Sequence, residues 1–98
     1  MPWIMKTYEI IPSPGFLRDY KKYRRDNAVK KQVRQVFKLL KQNPFKSQLR
    51  THRVNVPSLG FIYSSRVTGD IRLLWEFDEE NHLVIIALRL RGHDNIYK

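Results

Sequence analysis

"FIYSSRVTGDIRLLWEF", residues 61–77, decides the fold. Both halves are rich in β-branched and aromatic residues, and Thr68, Gly69 and Asp70 separate them, which predicts a β-hairpin. In 70–77, Ile71, Leu73, Trp75 and Phe77 alternate with Arg72, Leu74 and Glu76, so the first set should face a core. In 61–67, Phe61, Tyr63 and Val67 share one parity, and Ile62, Ser64 and Arg66 take the other. A two-residue turn would pair Val67 with Asp70 and set Arg66 beside core-facing Ile71. A three-residue loop pairs Val67 with Ile71 and Arg66 with Arg72, and burial favours this register. Two arginines then lie directly opposite each other on the open face. Like charges so placed are destabilising, which suits a protein that holds an anion there.

Two further strand-like stretches flank the hairpin: "THRVNV" (51–56) and "HLVIIALRL" (82–90), with "PSLG" and "DEEN" as turns. In the last, Val84, Ile86, Leu88 and Leu90 read as core, leaving Arg89 and Arg91 on the open face with Ala87. Towards the N-terminus the period changes. Residues 3–11, "WIMKTYEII", read as a strand ended by "PSPG". Ser13 then caps a helix with Pro14 in its first position, and Phe16, Tyr20 and Tyr23 form its apolar stripe. "RRDN" breaks it, and Asn27 caps a second helix whose buried face is Val29, Val33, Val36, Phe37 and Leu40; Asn43–Pro44 stops it. The expected fold is a single α+β domain over residues 1–98, in the order β-α-α-β-β-β. A two-helix hairpin covers one face of a mainly antiparallel sheet.

A chain of 98 residues holds one modest core, and 42% hydrophobic with 29% charged residues is a globular composition. The formal net charge of +10 costs self-repulsion in so small a domain and points to a polyanionic partner. No apolar run reaches membrane-spanning length, and "MPWIMKTYEII" lacks the features of a signal peptide. There is no cysteine, which removes disulfides and thiolate chemistry and makes the cytoplasm the default location. No metal or cofactor motif is present.

The layout, "YSSRVTGDIRLLWEF" and the ending "RGHDNIY" resemble the RelE/ParE superfamily of toxins from type II toxin–antitoxin pairs. The likeness covers nearly the whole chain. Members of the RelE branch cut mRNA in the ribosomal A site, without metal or cofactor. The ribose 2′-hydroxyl attacks the adjacent phosphate and leaves a 2′,3′-cyclic phosphate. Such chemistry asks for a base, an acid and cations around phosphorus. The resemblance therefore implies an mRNA endoribonuclease whose partners are an acidic antitoxin and the ribosome, with no membrane involved.

Residue by residue, the resemblance places Arg72 at the scissile phosphate and Arg66 on the preceding strand. Tyr97 matches a C-terminal tyrosine that positions substrate, and His93 the histidine of the "H-x-x-x-(F/Y)" ending of the YafQ-like branch. His52 and Asp70 match a further histidine and aspartate of that branch. A histidine that the branch carries near Ser65–Arg66 has no counterpart, so the base and the acid stay unassigned. Each residue also has an ordinary reading: strand arginines are commonly solvated, turn aspartates common, and tail tyrosines often only pack. Imidazole, with a free pKa of ~6.5, exchanges protons near neutral pH. Arg89, Arg91, Lys21, Lys22, Arg24, Arg25, Lys30 and Lys31 are candidate contacts to RNA backbone, without base information. Two other functions compete: a ParE-like gyrase inhibitor, against which His93 and Tyr97 argue, and an inactive basic nucleic-acid-binding homologue.

Overall fold

A computed structural model describes residues 7–96. It contains β1 (Glu9–Pro12), α1 (Pro14–Lys21), α2 (Asn27–Gln42), β2 (His52–Val56), β3 (Gly60–Arg66), β4 (Ile71–Phe77) and β5 (Val84–Gly92). Single 3-10 turns precede β2 (Ser47–Leu49) and follow β5 (His93–Asn95). Four strands follow the helices, where the order expected from the sequence counted three. They form an antiparallel meander, and β1 adds to it in parallel against β5, giving the order β1-β5-β4-β3-β2.

The β3–β4 register is the one that burial selects. Arg66 stands opposite Arg72, Ser65 opposite Leu73, and the Val67 N–H donates to the Ile71 carbonyl. Ser13 caps α1 as expected, accepting from the Phe16 N–H at 3.2 Å. The α2 cap is Asp26, not Asn27: its carboxylate accepts from the Val29 N–H at 3.1 Å. Val29, Val33, Val36 and Leu40 are buried against Phe16, Leu73, Trp75 and Ile85 on one face of the sheet. Phe61, whose parity pointed inward, is instead 69% exposed, with the Arg53 guanidinium 5.8 Å from its ring centre. No β2 residue belongs to the helix-side core, so Phe61 lies beyond its margin.

The alternation assumed for β5 fails at one point. Leu74 pairs with Arg89 but Trp75 pairs with Ala87, so Leu88 is an extra residue, a β-bulge. The phase inverts there. Ile85, Ala87 and Leu90 enter the helix-side core, while Leu88 packs on the other face. The start of α1 satisfies the backbone groups that the bulge leaves unpaired. The Ser13 N–H and hydroxyl donate to the Ala87 and Leu88 carbonyls at 2.8 and 3.0 Å. Gly15 makes this approach possible, because a Cβ there would lie 2.9 Å from the Leu88 carbonyl oxygen.

The opposite face is not fully open. Val54, Val56, Ile62, Leu74 and Ile96 form a second small core, joined by Leu59 and Leu88. Ile96 is only 3% exposed, so the chain folds back over the sheet after β5.

Candidate active site

Three strands place one arginine each in a cross-strand row on the second face: Arg66 opposite Arg72, and Arg72 opposite Arg91. Arg72 Nη1 donates to the Thr68 carbonyl at 2.7 Å and, more weakly, lies 3.2 and 3.3 Å from the Gly69 and Ile71 carbonyls. The tail closes the site from the side. The His93 N–H donates to the Asp70 carbonyl, and Arg91 Nη1 donates to the Ile96 carbonyl at 3.3 Å. With Ile96 anchored beneath, the His93–Asn95 turn sits against the end of the β3–β4 hairpin.

On the far side β2 begins at His52, paired with Ser64 of β3. The residue two before it, Arg50, is left-handed at φ 49° and ψ 40°. Few non-glycine residues adopt this conformation. Buried Leu49 and the Thr51 hydroxyl, which donates to the Pro44 carbonyl at 2.7 Å, fix the segment on either side. His52 Nδ1 lies 3.0 Å from the Arg50 carbonyl. A carbonyl only accepts, so Nδ1 carries the proton, and the Nε2 of a neutral imidazole keeps its lone pair.

Arg50, His52, Arg66, Arg72, His93 and Ile96 line one cavity of ≈ 340 Å³. Its electrostatics are those of a site short of negative charge. The Arg72 guanidinium is held below its ordinary pKa by burial first, then by Arg66 and Arg50, with Asp70 opposing. Arg91 is lowered by burial and by Arg89, against Asp19. Both stay protonated at any pH the protein meets. A bound anion would relieve this strain, and perturbed groups gathered in a cleft are a mark of function. Among the described residues no three His, Asp or Glu side chains gather to hold a metal.

The structure thus brings Arg66, Arg72, His52 and His93 together. Asp70 does not line the cavity; its carbonyl positions His93 and its carboxylate faces solvent. Tyr97 lies outside the described residues. Arg89 departs from its expected place on the open face, because the bulge turns it towards α1. There its Nε and Nη2 donate to the buried Asp19 carboxylate at 2.7 and 3.0 Å. Lys21, Lys22, Arg24 and Arg25 line a separate recess at the turn between the helices. Lys30 reaches back to the Arg24 carbonyl at 3.5 Å, and Lys31 is exposed on α2. Arg50 was missed from sequence. Its spacing of two from His52 was a signal, but it lies outside the strand pattern.

No family model matches the sequence, and no curated protein matches it. Solved structures do match. A YoeB/ParE toxin from Agrobacterium tumefaciens superposes with a TM-score of 0.71 at 15% identity, over 87% of this chain and 98% of that one. The chain has the fold of the RelE/ParE toxins. A YoeB dimer from Staphylococcus aureus gives 0.70 at 24% identity, over 89% and 98% of the two chains. The E. coli DinJ–YafQ toxin–antitoxin complex gives 0.71 at 15% identity, over 94% and 99%. Within this RelE-like fold, the row of arginines and the returning tail lie on the sheet face opposite the helices.

Proposed function

We propose that this protein is the toxin of a type II toxin–antitoxin pair and cleaves mRNA on the ribosome in the cytoplasm. One observation carries the reading: two imidazoles and three arginines, from β2, β3, β4, the 3-10 turn before β2 and the tail, converge on one open cavity. The reaction needs little else. His52 Nε2 takes the proton of the ribose 2′-hydroxyl, whose oxygen attacks the neighbouring phosphorus. His93, in its protonated form, gives a proton to the departing 5′-oxygen as the P–O5′ bond breaks. The products are a 2′,3′-cyclic phosphate and a 5′-hydroxyl. Arg72 and Arg66 face the charge that grows on the phosphoryl oxygens, and Tyr97 positions the substrate. The shallow cavity offers little to orient RNA, so the ribosome supplies that geometry. An acidic antitoxin wraps the basic helices and covers or displaces the tail, as the net charge of +10 favours.

The test is a reconstituted reaction with ribosomes, mRNA and the purified chain. Cuts confined to ribosome-bound mRNA, with cyclic-phosphate ends and no loss in a chelator, are expected. Intact mRNA after incubation with folded protein, or equally fast cutting of naked RNA, would overturn the proposal.

A further inference from the structure

We propose that the groove between α2 and the Ser47–Leu49 turn is a nucleobase subsite, which takes the base of the nucleotide adjoining the phosphate bound by the arginines. The inference rests on the nuclease reading of the neighbouring cavity and adds what that reading lacks, a place where sequence is sensed. The groove is larger than the arginine site, ≈ 620 Å³ against ≈ 340 Å³. Arg50 and Arg66 line both. The two spaces therefore share a cationic wall, and a phosphate on that wall has one neighbour on each side.

The rest of the lining suits a base and not a second phosphate. Gln32, Gln35, Val36 and Leu39 follow the i, i+3, i+4, i+7 spacing and form one face of α2. Leu39, half-buried at the groove wall, provides an apolar edge for a flat ring, while Val36 is buried in the core behind it. Gln32 and Gln35, with Gln48 from the facing turn, are exposed and make no side-chain hydrogen bond among the described residues. A glutamine amide has a donor and an acceptor side by side, as does a base edge. Unpaired RNA is read this way, by contacts to exposed faces and edges. Of the residues lining the groove, only Arg50 and Arg66 are charged. That pattern fits one nucleotide, with one phosphate and one neutral base. An acidic peptide would need cations along its length.

The test uses the full chain, labelled with ¹⁵N, and a ribotrinucleotide made uncleavable by 2′-O-methylation. Side-chain NH₂ signals of Gln32, Gln35 and Gln48 should shift on titration together with Arg66 and Arg72, while that of Gln42, outside the groove, should not. On ribosomes, Gln35→Leu and Gln48→Leu should each change the ratio of cuts between preferred and disfavoured sequences by about tenfold, the loss of one base contact. Shifts at Arg66 and Arg72 with silent groove amides would overturn the subsite and leave the nuclease reading standing. Groove amides that respond to an acidic peptide and not to RNA would overturn it in favour of a protein ligand. Silence everywhere at millimolar trinucleotide would sink the subsite, and ribosomal cleavage by the parent would then show whether the nuclease reading falls with it.

Discussion

Removing the Asp19 carboxylate should cost this protein stability before it costs activity. Asp19 is 2% exposed and accepts three hydrogen bonds: two from Arg89, at 2.7 and 3.0 Å, and one from the Leu90 N–H at 2.9 Å. Lys22 adds a contact at 3.8 Å, but its side chain is 74% exposed and contributes little. In Asp19→Ala the Leu90 N–H stays buried without a partner, a loss of about 1–3 kcal/mol. Breaking a fully buried ion pair costs about 3–5 kcal/mol. Here the Arg89 side chain is 29% exposed and can turn to water, so the upper figure is not reached. About 3 kcal/mol is expected, or roughly 12–24 °C in thermal midpoint for a domain of this size. Arg89→Ala should cost at least as much, because Asp19 has no route to solvent.

The pH dependence carries a sign. Burial alone would raise the Asp19 pKa, but the Arg89 hydrogen bonds, the Leu90 N–H and the charges of Arg89 and Lys22 outweigh it and hold it below the ordinary value. A carboxylate depressed in the folded state contributes stability above its unfolded pKa of about 3.9, and loses it as pH falls through the folded value. Urea unfolding at pH 7 and at stepwise lower pH measures this. Asp19→Asn should be less stable at pH 7, with the gap to the parent narrowing below about pH 4. The reasoning fails if Asp19→Ala lies within about 0.5 kcal/mol of the parent, the range of an ordinary surface change.

Arg72→Ala and His93→Gln should fold normally and lose about 10²–10³ and 10²–10⁴ in cleavage rate, for a lost phosphate cation and a lost proton-transfer group; melting curves alongside growth after induction separate this from unfolding. Adjacent Ser64 and Ser65, both fully buried, should respond oppositely to alanine. Ser65 accepts from Trp75 Nε1 at 2.8 Å and donates to Thr51 at 2.6 Å, so its loss should cost about 1–3 kcal/mol, whereas the Ser64 hydroxyl has no partner among the described residues and its loss should be neutral or stabilising by denaturant titration. Affinity for an acidic antitoxin should fall as salt rises from low to physiological, by calorimetry; a salt-independent constant would remove the electrostatic argument.

The hairpin was legible because turn chemistry and burial both act locally. Only the three-residue loop keeps Val67 and Ile71 on one side, so the Arg66–Arg72 pairing followed from residues 61–77 alone. β5 was misread for the opposite reason. Its bulge leaves no mark in "VIIALRL", where either phase buries apolar residues. The phase is chosen by Ser13, Gly15 and Asp19, some seventy positions away in sequence, as their contacts to Leu88, Arg89 and Leu90 show. Arg89, an RNA contact by parity, became a structural cation by that choice.

The site shows the same division between residue and place. His52, Arg66, Arg72 and His93 could be named because the resemblance to the RelE branch marks those positions. Their convergence depends on residues with no chemistry at all. Ile96 looks like any apolar residue near a chain end, yet its burial among Val54, Val56, Ile62 and Leu74 carries His93 to the hairpin. The bulge does the complementary work by turning Leu88 into that same small core. Burial, Arg66 and Arg50 weigh against the charge on Arg72, with only Asp70 opposing. Packing on both sides holds the row in place, and the repulsion left over is what an incoming phosphate would relieve.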